Sequence, residues 1–468
     1  MRITQVSIMP TNASKEAGRP SLTPELLAAT GARYSRSNDG LDSIVSKIDF
    51  DNPDKSVDNI FKMIDYGHQS IADMVPVAMF MDGISIYLAY YIWSICSVVG
   101  GQESSTRYIK LDPSGIIDPE TLGIPENKRS EWYDYQVNAF KCYEQSLEYW
   151  TELSKKQPDL MRIPKSLLDD PSEKAQKQVE RMRRNYAFDR SRMYIPVSVA
   201  TNVMMVQSAR AWVELSQNLL SHFLPEFNML GEFIAKELDL VAPRLKKYAR
   251  FNESTRKVLD WEFNKLISFN KSHYMLSDSE DRTEYSVPPI ANLIYDDLWF
   301  NDEISLDTLK FRSNRYSPFI CKFRMTPITF GWRAVSMGEI RDLNRHRTGS
   351  KYCPLYPLGF YAAIDQVPQQ EDLEIIQKFE KFGGEGAISA RNLLLDGDPT
   401  YMYWTLLGTQ YSFMHTTTMD KFIYEAELRT GIGAHYRYAK HLHDALEELY
   451  LDFPEIKDMI FEGSAEPE

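Results

Sequence analysis

Twice in this chain an apolar, strand-like run is followed by a turn and a long helix-like stretch, first from Met74–Met81 and again from Phe319–Met325. A second similar pair comes after each, Thr201–Pro225 and Thr409–Ala434, in which a helical segment carries a polar stripe and ends in a small-residue turn. Repetition of this kind restricts the fold to two copies of one unit. It predicts an α+β architecture of two tandem repeats, each a small, mostly antiparallel sheet packed with long helices, together forming a pseudo-dimer. Repeat one covers residues 1–255, a connecting segment 256–284, and repeat two 285–468, with the polar, proline-bearing stretch Ser277–Pro289 at the boundary. Further breaks are expected at Lys110–Arg129, Lys155–Lys177 and Gly383-Gly384-Glu385-Gly386. Apolar residues at three- and four-residue spacing predict helices over Ser130–Ser154, Gln178–Asn185 and Val203–Ser221, and Met1–Val6 alternates like an opening strand.

Charge narrows the function classes. With 53 Lys and Arg against 66 Asp and Glu, the net charge of −13 opposes general attraction to nucleic-acid backbones, so an anionic ligand needs a local arginine cluster. Cys96, Cys142, Cys321 and Cys353 lack metal-ligand or disulfide spacing, which suits a reducing cytoplasm. His435, His441 and His443 lack a carboxylate or cysteine at ligand spacing, predict no metal, and read as helix-surface residues. The apolar run Gly83–Gly100 is short for a membrane span and contains Ser85, Ser94 and Ser97, so it reads as a buried core element.

Several short motifs are distributed between the halves in a complementary way. Repeat one has Ala32-Arg33-Tyr34-Ser35, Gly67-His68-Gln69-Ser70, Gln102-Glu103-Ser104-Ser105-Thr106-Arg107-Tyr108 and Arg192-Met193-Tyr194-Ile195-Pro196. Repeat two has Arg345-His346-Arg347-Thr348-Gly349-Ser350 and Leu428-Arg429-Thr430-Gly431-Ile432-Gly433-Ala434. Where repeat one has Arg192 and Pro196, repeat two has Met402 and Leu406, and where repeat two has Arg429, repeat one has Leu219. Together these segments resemble the flavin-dependent thymidylate synthases, whose R-H-R-x-x-S-x-N-E-x-S-x-R-Y motif is divided here between the two halves. The sequence departs from the family at Asp73-Met74, at Asp342, which stands where the family has Gln, and at Ser208-Ala209-Arg210.

The resemblance implies FAD-dependent C5 methylation of a uracil nucleotide, most simply dUMP to dTMP, with methylenetetrahydrofolate and NADPH as co-substrates. Its alternative is a non-catalytic or repurposed paralogue that binds a nucleotide or serves in assembly. Repeat one would be the nucleotide-binding half and repeat two the flavin-binding half. Ser105 and Arg429 would be catalytic; Glu103, Ser105, Arg107, Arg192 and Arg429 would bind the pyrimidine nucleotide; Ser35, His68, Ser70, Arg345, His346, Arg347 and Ser350 would bind FAD. A homodimer would mimic the family's tetramer, with neither membrane nor general nucleic-acid partners.

The residue types suit this chemistry. Guanidinium groups bind phosphate oxygens through paired, charge-assisted hydrogen bonds, the part implied for Arg107 and Arg192, and a turn over Glu103–Arg107 could add backbone N–H groups. An arginine beside a pyrimidine carbonyl stabilises charge developing during attack at the ring, the part implied for Arg429. Each motif also has a plainer reading. Arg107 could be a solvated loop residue, Glu425, Glu427 and Arg429 a charged helix face, and the Arg345–Arg347 triplet a salt-bridging element facing Glu339 or Asp342.

Overall fold

The computed structural model describes the chain apart from residues 39, 65–68, 97–99, 108, 110, 269–284, 296–305, 369–372, 432–433 and 464–468. It forms two compact units. The first comprises Met1–Ser105, Ile117–Ile124 and Val199–Phe263, and the second Thr106–Ile116, Pro125–Ser198 and Asn264–Glu468.

The first unit is built on an antiparallel sheet in the order β1-β2-β4-β3, from strands β1 (Arg2–Val6), β2 (Pro76–Ser85), β3 (Gly100–Glu103) and β4 (Ala200–Ser208). β2 begins with a proline, which can occupy a strand's first position without breaking a ladder bond, and its register shifts between Asp82 and Ile84, where Gly83 takes φ +70°. The strand then runs into a buried helix. Ser85 Oγ accepts the Leu88 N–H at 2.9 Å as N-cap and donates to Glu226 Oε2 at 2.8 Å, which fixes where the Ile86–Ile95 helix starts. Leu88, Ala89 and Ile92 are fully buried, as expected of a core element. Among the described residues no helix is long and apolar enough to cross a membrane.

The second unit repeats this layout. Its strands are β5 (Ala291–Tyr295), β6 (Pro327–Ser336), β7 (Ser350–Tyr352), β8 (Gly359–Phe360) and β9 (Thr409–Thr418), in the antiparallel order β5-β6-β9-β7 with β8 also on β9. β6 likewise begins with proline, shifts register between Trp332 and Val335, and ends at a serine that caps the next helix, Met337–Leu343, through a capping box with Glu339. Even the strand-to-helix hydrogen bond recurs: Ala209 N–H donates to Val75 O at 2.8 Å in one unit, and Met419 N–H to Thr326 O at 2.9 Å in the other. The long helix Leu373–Leu395 packs on β8 and β9 of the second sheet, and Arg129–Lys156 packs on that helix and on Glu173–Ser191. Trp132 Nε1 and Gln136 Nε2 both donate to Tyr403 O, at 2.8 and 3.2 Å, and so tie the Arg129–Lys156 helix to the turn Pro399–Trp404. Pro196 bridges Leu406 antiparallel, with Val197 N–H on Thr405 O and Leu407 N–H on Ile195 O. The segments compared between repeats, Arg192–Pro196 and Met402–Leu406, are therefore hydrogen-bonded to each other.

Local structure differs from expectation in three places. The run Phe319–Met325 is not a strand: Cys321–Met325 is helical and the strand begins at Pro327. Residues spaced by two include pairs spaced by four, and Phe319, just before the helix, sets its ring tilted against that of Phe323 with centroids 5.7 Å apart. Val203–Ser221 is not one helix. It is strand to Ser208, burying alternate residues, and helix from Ala209. Gly383, Gly384 and Gly386 are not a break but lie within the Leu373–Leu395 helix, where a Cβ would stand 2.4 Å from the Phe360 ring, 2.2 Å from the Tyr285 ring and 2.0 Å from the Tyr135 hydroxyl. The glycines there serve close ring packing.

Candidate functional site

Four of the residues singled out in sequence lie in the first unit. Ser35 closes the Pro24–Tyr34 helix, exposed, its hydroxyl donating to Ala32 O at 3.0 Å. Ser70 opens the short helix Ser70–Asp73 and is also exposed, while His68 lies outside the described residues. Glu103 ends β3 opposite Val203, and Ser105 follows it half-buried. The segment Glu103–Arg107 is thus a strand end followed by a turn at Thr106 and Arg107.

The second unit gathers the arginines into one ion-pair network. Arg107 holds Asp189 with two bonds, Nε to Oδ1 at 3.0 Å and Nη2 to Oδ2. Arg107 is therefore not a solvated loop residue. Arg192 Nη2 reaches Asp342 Oδ2 at 2.8 Å, and Arg345 Nη2 lies 3.4 Å from Asp342 Oδ1, so one carboxylate is shared by arginines from the two sequence halves. Burial acts to raise the pKa values of Asp189 and Asp342, but Arg107 for the first, and Arg192 and Arg345 for the second, hold both below the ordinary carboxylate range. His435 completes the network. Its Nδ1 accepts the Arg437 N–H at 3.3 Å, and its Nε2 lies 3.1 Å from Asp189 O, the pattern of a neutral ring protonated on Nε2. Burial, with Arg192 adding to it, lowers its pKa to about 4.

Beside it in sequence, the residue after Arg345 begins a second cluster. Arg429 Nε donates to His346 Nε2 at 2.6 Å, and the Arg429 guanidinium lies 5.6 Å from the Tyr438 ring centre. Glu425, one turn earlier on the Met419–Arg429 helix, places Oε2 3.9 Å from His346 Nδ1 and 3.3 Å from His415 Nδ1, while His415 Nε2 sits 2.6 Å from Thr348 O. Burial lowers the His346 pKa to about 4 despite Glu425. The Lys351 ammonium donates to His346 O. Arg347 is half-buried, and Ser350 opens β7, exposed, opposite Thr416.

Several expectations change here. Glu425 and Glu427 are buried, at 1% and 0% exposure, and do not form a solvated face. Glu427 instead takes Arg312 through two bonds of 2.8 and 2.6 Å. His435 and His441 are buried rather than on a helix surface. Glu339, one candidate partner for the triplet, is held by His441 Nε2 at 2.6 Å and Arg437 Nε at 3.3 Å, which leaves Asp342 as the partner of Arg345. Sequence reading missed Asp189, His415 and the part played by His435. Asp189 had one weak signal, a carboxylate directly before Arg190 at the end of a basic helix, three positions before Arg192.

Residues 21–244 match the family model described as thymidylate synthase complementing protein. The UPF0159 protein Ta1429 of Thermoplasma acidophilum is 26% identical over 231 residues, 46% of this chain and 46% of that protein, so the match spans about half the length of that relative. The flavin-dependent thymidylate synthase of Clostridium tetani is 21% identical over 227 residues, 48% of this chain and 82% of that protein. Among solved structures, the UMP/dUMP methylase PolB from Streptomyces cacaoi aligns at 13% identity and a TM-score of 0.32, covering 53% of this chain and 93% of its own.

Proposed function

We propose a function from the premise that the chain belongs, through residues 21–244, to the thymidylate synthase complementing protein family: it is an enzyme that methylates C5 of a uracil nucleotide, most simply dUMP to dTMP. Methylenetetrahydrofolate would be the one-carbon donor, NADPH the reductant and FAD the cofactor. The observation that carries the reading is the sharing of Asp342 by Arg192 and Arg345, with Arg107 on Asp189 in the same network. Arg107, Arg192 and Arg345, from three motifs far apart in the chain, thus share one ion-pair network, an outcome that independent decay of two copies does not favour.

In this reading Arg107 and Arg192 hold the nucleotide. Arg429 stabilises negative charge that develops on a pyrimidine carbonyl as C5 attacks the one-carbon unit. The Arg345 guanidinium, 43% exposed, and the exposed Ser350 hydroxyl, together with Arg347, suit the anionic and polar groups of a flavin. His346 fits less directly, because Arg429 occupies its Nε2 and its Nδ1 faces Glu425; it orients Arg429. When bound, reduced FAD supplies the hydride. A homodimer would give each composite site its neighbours.

One observation favours a second reading, a non-catalytic or repurposed paralogue: the arginines assigned to the nucleotide already carry carboxylate partners. Absorption spectroscopy separates the two. The full-length protein, given FAD and desalted, is expected to keep a visible flavin band that Arg347→Ala abolishes, and then to methylate dUMP. A wild type that retains no flavin would establish the paralogue reading instead.

A further inference from the structure

His415 lies inside the second sheet, on β9 between Phe330 of β6 and Lys351 of β7, and its buried ring sits 5.0 Å from that of Phe330. Both of its nitrogens face acceptors. Nε2 lies 2.6 Å from Thr348 O, and a carbonyl only accepts, so that nitrogen carries a hydrogen. Nδ1 lies 3.3 Å from Glu425 Oε2. Burial acts to raise the Glu425 pKa, but His346, His415 and Lys351 hold it below the ordinary carboxylate range, so this oxygen too is an acceptor. A neutral imidazole has one N–H and serves only one of the two partners; the ring that serves both is the imidazolium. The neighbouring cations are directed elsewhere. Arg429 Nε and the Lys351 ammonium donate to His346, the first at Nε2 and the second at the carbonyl, and the charge of Arg347 bears on Lys351. Thr348 belongs to the segment 345–350 that joins the Met337–Leu343 helix to β7 and carries Arg345 and Arg347.

We infer that His415 is a positioning residue, doubly protonated and clamped between the Glu425 carboxylate and the Thr348 carbonyl, that holds the Arg345–Ser350 segment in place for the anionic groups of a flavin. The inference rests on the flavin-binding reading above and deepens it. Buried under the segment, His415 acts through it and not on the ligand. Loss of one proton would leave an acceptor facing an acceptor on one side of the ring, so the segment is released as pH rises. Glu425→Gln removes that dependence, because its amide can donate to Nδ1 and a neutral ring then serves both partners.

The test uses the full-length protein with isotope-labelled histidines, and FAD as the probe. Long-range ring correlations, assigned by proximity to the Phe330 ring, are expected to show both His415 nitrogens protonated at about pH 7 in the wild type and only Nε2 in Glu425→Gln. A wild-type ring with a single proton overturns the inference, and decides it even where the variant fails to fold. Absorption titration is expected to show wild-type FAD affinity falling at least about tenfold between about pH 7 and about pH 9.5, against less than about threefold in Glu425→Gln. Equal losses overturn the positioning role, since Lys351 and the arginines are present in both proteins. A doubly protonated ring in a protein that takes up no FAD at any pH upholds the clamp on the segment and overturns the flavin reading.

Discussion

His435 shows how single side chains couple this network to pH. It caps the Tyr436–Asp452 helix through Nδ1, and its ring faces Arg192, Asp189, Glu339 and Asp342. Burial pushes its pKa down to about 4 from the ordinary 6.5 of a histidine, so between these pH values the unfolded chain binds a proton that the folded chain refuses. Stability is therefore full above pH 6.5 and falls as pH drops toward 4. His346, also lowered to about 4, and His222, lowered to about 3 chiefly by burial, act in the same direction. His435→Asn keeps a capping acceptor for the Arg437 N–H and removes the titrating ring. Denaturant melts of the variant should show an acid slope shallower by up to about 1.4 kcal/mol per pH unit. An unchanged slope would mean that the ring does not titrate on unfolding. This coupling was only partly legible in sequence. The arginine motifs and the departure at Asp342 could be read from spacing and resemblance, because each is a local string. The partners Asp189 and His435 could not, since their roles depend on burial and on bonds to residues far away in the chain.

At the scale of elements, the strands and helices that follow one pattern along their length were readable, and those that satisfy two patterns were not. The helix Arg129–Lys156 and strand β1 match their expected spans closely. The β4 strand was read as helix because Val203, Met205 and the helical residues after them form one continuous apolar register, and only the sheet decides where the period changes. The glycines of Leu373–Leu395 show the same competition between local and tertiary effects. In an isolated helix, Gly386→Ala should stabilise by about 1 kcal/mol. Here the new Cβ would lie 2.0 Å from the buried Tyr135 hydroxyl, whose ring stacks on Phe382 at 5.2 Å. Overpacking of this sort costs about 1–3 kcal/mol, so the net change should be destabilising and lower the thermal midpoint. A raised midpoint would show that Tyr135 can move aside at little cost. Gly397→Ala is a different case, since nothing lies within 4 Å of the added Cβ and only its φ of +80° opposes the change.

For the whole molecule, the two compact units do not follow the two halves of the sequence, and this has a mechanical consequence. The second unit takes Thr106–Ile116 and Pro125–Ser198 from the first half of the sequence. Those segments supply Trp132 and Gln136 to Tyr403, the Pro196–Leu406 bridge, and both Arg107–Asp189 and Arg192 of the ion-pair network. A fragment of residues 285–468 would expose the face on which the Arg129–Lys156 and Glu173–Ser191 helices pack, and would leave Asp342 without Arg192. Losing one partner of a buried pair alone costs about 3–5 kcal/mol, a large fraction of the roughly 5–15 kcal/mol by which domains are stable. The fragment is therefore expected to be unfolded or insoluble when expressed alone. Fragments 1–268 and 285–468 expressed together should instead copurify and recover a cooperative melt, because every contact named above is restored without a covalent link. If 285–468 folds alone, with a sharp thermal transition and dispersed amide resonances, the second sheet and its own helices suffice, and the helices from the first half serve only to assemble the ion-pair network. Copurification without solubility of either part alone would show the opposite: neither sequence half is a folding unit by itself.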